Sequence, residues 1–272
     1  METNDDVLIA RLVRALGGVP GIRAIVLGGS RARGTAGPDS DYDIGLYYEP
    51  DSPIDVGRLA KAVTLLPVPV TSTVTAVGEW GPWINGGAWL TVDGKRVDLL
   101  YRDLGKVGEV IEACRAGRIE RAYQPGHPHA FVSAIYMGEV AHARVLWDPD
   151  NVLAPLKRQC EPYPAALAEA LIRSFFWEAR FALENAEHGS GRADPNYVAG
   201  CAFRAVASLC QALFALNHTY LLNEKGAVAG VERLARHPAD FGRRVARLHA
   251  AGTAGLADLR ALIEETAGLL KA

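Results

Sequence analysis

The stretch that most restricts what this chain can become runs from Ile22 to Tyr48. IRAIVLGGS (22–30) is a β-branched apolar run that ends in two glycines and a serine, which predicts a buried strand entering a tight turn. RARGTAGPDS (31–40) is a polar, glycine-containing loop, and DYDIGLYY (41–48) alternates as a second strand. Gly28, Gly29 and Ser30 would present backbone N–H groups and a hydroxyl with no Cβ to block a close approach, a surface suited to phosphate. Asp41 and Asp43 stand two apart, so both side chains project from one face of the strand. Two carboxylates so placed repel each other unless a cation lies between them, and hard oxygen ligands suit Mg²⁺ held together with nucleotide phosphates.

A third carboxylate comes from AWLTVDGKRVDLLYR (88–102), two alternating runs around Asp93-Gly94 and therefore a hairpin. Asp98 sits among apolar residues on its second strand, where an acid needs a partner such as a shared metal ion. Three carboxylates beside a phosphate-holding turn are what in-line attack on a nucleotide α-phosphate requires.

The pattern GGSRARGTAGPDSDYDIGLYY, with its Asp-x-Asp ten residues after the Gly-Ser turn and a later strand-borne acid, resembles the DNA polymerase β-like nucleotidyltransferase superfamily. The likeness covers about residues 21–103. It implies a mixed β-sheet with flanking helices, Gly29 and Ser30 at the triphosphate, Asp41, Asp43 and Asp98 as ligands of two Mg²⁺ ions, and Asp98 as ligand or general base. Arg31 and Arg33, beside the turn, are further phosphate candidates, or solvated surface residues.

Beyond about residue 155 the pattern turns helical. Leu167, Leu171, Phe175, Ala179 and Ala182 recur at steps of three and four over 164–188. Asp194-Pro195 opens a further helix, a long apolar one follows over 199–222, and amphipathic segments lie near 225–236 and 254–271. Earlier, helices are expected over 6–16, 55–66, 103–116 and 129–143, a strand over 68–77, and a last short strand or edge segment at RVLWDP (144–149). The fold class expected is α+β: a catalytic domain over 1–155 and an α-helical bundle domain over 156–272 that binds substrate.

This second half is similar to the helical domains of small-molecule nucleotidyltransferases of the aminoglycoside and lincosamide type. In the streptomycin/spectinomycin enzymes a lysine at a comparable helix start reaches the triphosphate, which points to Lys225. Glu178 lies on the apolar stripe of its helix and is a candidate to bind a cationic acceptor or act as a base. Tyr197 and Arg204 are similar candidates. The tryptophans at 80, 83 and 89 flank the hairpin, as packing or as a stacking surface for an acceptor ring.

With 29 basic and 31 acidic residues the net charge is −2, which disfavours a nucleic-acid-coating role. The four cysteines form no Cys-x-x-Cys pair, which fits free thiols in a cytoplasmic protein, and no membrane span or leader is expected. The expected activity is Mg²⁺-dependent transfer of a nucleoside monophosphate, AMP from ATP by family frequency, to a hydroxyl of a small molecule. The rivals are an antitoxin-like protein adenylyltransferase and a nucleotide-binding relative without turnover.

Overall fold

The computed structural model describes residues 4–64, 66, 73–191 and 194–272. The chain forms two compact units, residues 1–112 with 139–161, and residues 113–138 with 162–272. A single boundary between 155 and 156 does not describe this division, because residues 113–138 belong with the helical unit.

In the first unit the elements include α1 (Asn4–Leu16), β1 (Ala24–Leu27), α2 (Gly29–Ala32), β2 (Tyr42–Tyr48), α3 (Val56–Thr64), β3 (Gly87–Val92) and β4 (Lys95–Asp103). Helix α4 (Leu104–Arg115) carries the chain out of this unit and α5 (Ala134–His142) brings it back. Strand β7 (Arg144–Trp147) and α6 (Leu153–Cys160) complete it. Five strands make one mixed sheet in the order β3-β4-β2-β1-β7, with β2 and β4 parallel and the other pairs antiparallel.

The alternation of the strands decides which face is buried. Ile25 and Leu27, Tyr42, Ile44 and Leu46, Leu90 and Val92, and Val97, Leu99 and Tyr101 all point one way. They pack with Leu12 and Leu16 of α1 and Leu59 and Val63 of α3. Each such side chain contributes roughly 1.5–3 kcal/mol when fully buried. The opposite face therefore carries residues 41, 43, 45 and 47 of the second segment and 96, 98, 100 and 102 of β4. The hairpin turn between β3 and β4 places Asp93 at φ 51° and Gly94 at φ 73°, as a two-residue turn of this kind needs.

Part of the strand expected over 68–77 lies outside the described residues. Residues 73–77 are not a strand, although Thr75 exchanges bonds with Gly87: its N–H donates to the Gly87 carbonyl (3.0 Å), and its hydroxyl accepts from the Gly87 N–H (2.8 Å).

In the second unit, β5 (Arg121–Gln124) and β6 (His127–Val132) form a two-stranded ribbon turned at Pro125-Gly126, with Gly126 at φ 90°. The helix expected over 129–143 is thereby corrected: residues through Val132 are strand, and α5 begins only at Ala134. The turn-forming Pro-Gly pair was the signal that outweighs the helical spacing. Helices α7 (Ala165–Ser190) and α8 (Pro195–Leu216) form a long hairpin. Asp194 caps α8 by accepting the Tyr197 N–H (3.0 Å), with Pro195 in the first turn.

Small residues line the contact between these helices, among them Ala179, Ala182 and Ala186 of α7 and Ala202 and Ala205 of α8. Helix α8 has the length and apolarity of a membrane span, yet 78% of its apolar 18-residue window is buried inside the protein, so it is a core helix. It stops six residues before the expected end at 222. The Asn217 side-chain amide donates to the Leu213 carbonyl (2.8 Å) and the Arg236 carbonyl (2.9 Å), which ties the chain into a turn. Helices α9 (Ala227–Val231), α10 (Phe241–Ala251) and α11 (Leu256–Lys271) follow. Helix α10, absent from the sequence reading, is held to α11 by Arg247 and Asp258 (2.6 and 3.1 Å) and by Arg244 and Glu265 (2.8 Å).

Candidate active site

Gly28 ends β1 and caps α2, and its N–H donates to the Asp43 carbonyl at 2.8 Å. This bond sets the glycine turn against the first residues of β2. Gly29 has φ 60°, and a Cβ built on it would stand 1.7 Å from Asp43 Oδ2. Only a residue without a side chain lets the turn and the carboxylate share that space. Ser30 lies in the first turn of α2, where its carbonyl accepts the Thr35 N–H (3.0 Å) and closes the loop.

Asp43 and Asp98 are register partners on the parallel strands β2 and β4. Their side chains project from the same face across one strand spacing. Asp41 is two residues before Asp43 and shares that face. All three acids are partly buried. Burial is the largest cause raising the Asp43 carboxyl, followed by the charges of Asp98, Asp41 and Glu139; Arg33 opposes them only in part, and the group is pushed up to about 6. The charges of Asp98, Asp41 and Glu139 of α5 thus all act on Asp43, and Glu139 was not anticipated from the sequence.

Glu139 is held by Arg102 of β4, whose Nε and Nη2 donate to its two carboxylate oxygens at 2.8 and 2.7 Å. Arg102 is 3% exposed and lies on the Asp98 face. A buried arginine on an alternating strand was the available signal for such a pair. Arg33 caps the end of α2, and its charge acts on Asp43 and, after burial, lowers His142. Arg31 has a different task. It donates to Asp5 (2.7 Å) and the Ser40 carbonyl (2.8 Å) and lies over the Tyr42 ring, bracing the loop.

Among the described residues no three His, Cys, Asp or Glu side chains are gathered as a cage for a metal ion. Asp41 is drawn instead to Arg96, with Nε 2.6 Å from Oδ1. Mg²⁺ does not need such a cage: it takes one or two protein carboxylates and completes its shell with phosphate oxygens and water. An all-oxygen donor set, an uncompensated Asp43 and a turn cleared of side chains fit that ion.

The candidates of the helical unit fall into separate places. Glu178, on α7, is 2% exposed. It accepts from Arg204 Nε (2.6 Å), pairs with His129 Nε2 (3.1 Å) and is bonded by Arg121. Burial alone would raise its carboxyl, but the His129 bond and the charges of Arg121, His129 and Arg204 outweigh it and hold it at about 2. Glu178 thus serves its three partners, and a carboxylate held so low is a poor base. Arg204 is exposed apart from this bond. Tyr197 lies elsewhere on the hairpin, its hydroxyl donating to Asn185 (3.3 Å).

Lys225 is exposed in the segment before α9, with its N–H on Asn223 Oδ1 (2.8 Å). Glu224 beside it accepts the N–H groups of His129 (2.9 Å) and Ala130 (3.2 Å). Arg121, His129 and Glu224 were not anticipated as a group, because only the β5–β6 ribbon gathers them.

Residues 9–110 match the family model of the nucleotidyltransferase domain. A nucleotidyltransferase-like protein from Exiguobacterium sibiricum 255-15 is similar in structure, with 10% identity, coverage of 95% of this chain and 71% of that one, and a TM-score of 0.43. No curated protein matches the sequence. The matched stretch, residues 9–110, contains the glycine turn, the Asp-x-Asp pair and the third strand-borne acid.

Proposed function

We propose that the protein transfers a nucleoside monophosphate, AMP from ATP, to a hydroxyl of a small-molecule acceptor and releases pyrophosphate. The observation that carries this reading is the in-register pair Asp43 and Asp98 beside a glycine turn that has no room for a Cβ. Gly29, Ser30 and Arg33 hold the triphosphate. Asp41, Asp43 and Asp98 would hold one or two Mg²⁺ ions, which when bound neutralise phosphate charge and make the attacking hydroxyl more acidic.

The acceptor oxygen forms a bond to the α-phosphorus, and the bond from that phosphorus to the oxygen it shares with the β-phosphorus breaks, that oxygen leaving with its electron pair on pyrophosphate. The hydroxyl proton passes to Asp98. Arg102 and Glu139 keep β4 and α5 in place behind the acids. Lys225 and Arg204 are the helical unit's substrate-binding candidates. The cysteines at 114, 160, 201 and 210 are all free, which supports a cytoplasmic setting.

The test is a panel of nucleotides and hydroxylated small molecules with Mg²⁺, read by mass gain on the acceptor, with the double variant Asp41→Ala/Asp43→Ala as blank. Equal signal from that blank overturns the metal assignment. Label from ATP on protein bands, and none on small molecules, overturns the acceptor class in favour of protein adenylylation.

A further inference from the structure

Trp89 of β3 is the cross-strand partner of Asp98. Its side chain therefore shares the face of Asp98 and Asp43, one strand further along the sheet. It is 64% exposed, large for an indole on a sheet. Trp80 stacks on it, with ring centroids 4.4 Å apart and planes at 21°. Gly87, on the same strand, is required chiefly by the Leu99 carbonyl, from which a Cβ would stand 1.8 Å, and secondarily by the Trp80 ring at 3.1 Å. Trp83, by contrast, is 6% exposed and takes a cation–π contact from Lys106, so it is a packing residue. Two of the three tryptophans thus form an aromatic step at the edge of the acid site.

The strand order gives this step a direction. Across the sheet come the glycine turn at the end of β1, Asp43 on β2, Asp98 on β4 and Trp89 on β3. In-line displacement places the departing pyrophosphate and the attacking oxygen on opposite sides of the α-phosphorus. With the triphosphate at the β1 turn, the attacking hydroxyl lies toward Asp98, and the body of its molecule extends over β3. Trp89 and Asp98 stand opposite each other on neighbouring strands, their backbones one strand spacing of about 4.8 Å apart.

Resting on the function proposed above, we propose that the Trp80–Trp89 step is the acceptor's platform and selects an alcohol carried on a ring, whose face lies on Trp89. A ring stacked there presents a ring hydroxyl to Asp98, whereas a flexible chain alcohol gains nothing from the indole. An alcohol, unlike an already acidic phenol, is the acceptor that calls for clustered carboxylates and metal.

The experiment measures pyrophosphate release from Mg-ATP by the full-length protein, with methyl glucoside and myo-inositol as ring alcohols and glycerol and ethanolamine as chain alcohols. Expected are a preference of about tenfold for ring alcohols, carried by KM for the acceptor, its loss in Trp89→Ala and its retention in Trp89→Phe, with the KM for ATP unmoved. No ring preference, or a preference that survives Trp89→Ala, overturns the platform while leaving nucleotidyl transfer standing. No pyrophosphate release with any alcohol, together with no binding of Mg-ATP, removes both proposals.

Discussion

Asp43 on β2 and Asp98 on β4 face each other in register across two parallel strands, and the charge of Asp98 adds to burial in making Asp43 harder to ionise. The site is built at a cost to the empty protein. In the function proposed above, a bound cation relieves that repulsion.

Asp43→Asn should abolish transfer and stabilise the empty protein. The folded pKa of Asp43 is raised from 3.8 to about 6. Its proton is held more tightly in the folded state, so the associated stability is present below pH 3.8 and lost as pH rises through about 6. Above that, the ionised group costs up to ~3 kcal/mol, from 1.36 kcal/mol per unit. Chemical denaturation at pH 8 checks this: a variant no more stable than wild type contradicts the clustered acids. Activity should fall by roughly 10²-fold or more, and Asp98→Asn should lose a similar amount.

Gly29→Ala should lose both stability and nucleotide binding. Its φ of 60° and the 1.7 Å approach to Asp43 leave no place for a methyl group. The turn must shift, at a cost of about 1–3 kcal/mol. Thermal unfolding and ATP titration read the two effects, and a variant with wild-type ATP affinity would refute the tight fit.

Arg96 competes with metal for Asp41, the two standing 2.6 Å apart with Arg96 largely exposed. An exposed pair of this kind contributes about 0.2–1 kcal/mol. Arg96→Ala should therefore strengthen Mg²⁺ binding by up to about fivefold, measured by calorimetry with the nucleotide present. Weaker binding in the variant would instead assign Arg96 to the phosphates.

Glu178→Ala should destabilise the helical unit by about 3 kcal/mol, because it leaves Arg121 and His129 without their shared acceptor. The folded pKa is depressed from 4.5 to about 2, so the stability it contributes is present above pH 4.5 and lost as pH falls toward 2. Helical signal followed between pH 5 and 2 should show a transition that the Glu178→Ala variant lacks.

Much of the catalytic face is local in origin and hence legible in the chain. The apolar run into Gly28-Gly29, the two-residue step from Asp41 to Asp43 and the Asp93-Gly94 turn each depend on neighbours in sequence, where strand period and glycine's freedom act directly. Helices α1, α3, α4 and α7 follow from apolar spacing for the same reason. What tertiary structure alone decided are the pairings between distant segments. The register that sets Asp43 against Asp98, the hold of Arg102 on Glu139 and the capture of Glu178 by Arg121 and His129 join residues 37 to 57 positions apart. No periodicity encodes such partners. They are chosen when sheet order and helix packing bring the segments together and a buried charge must find its counterpart.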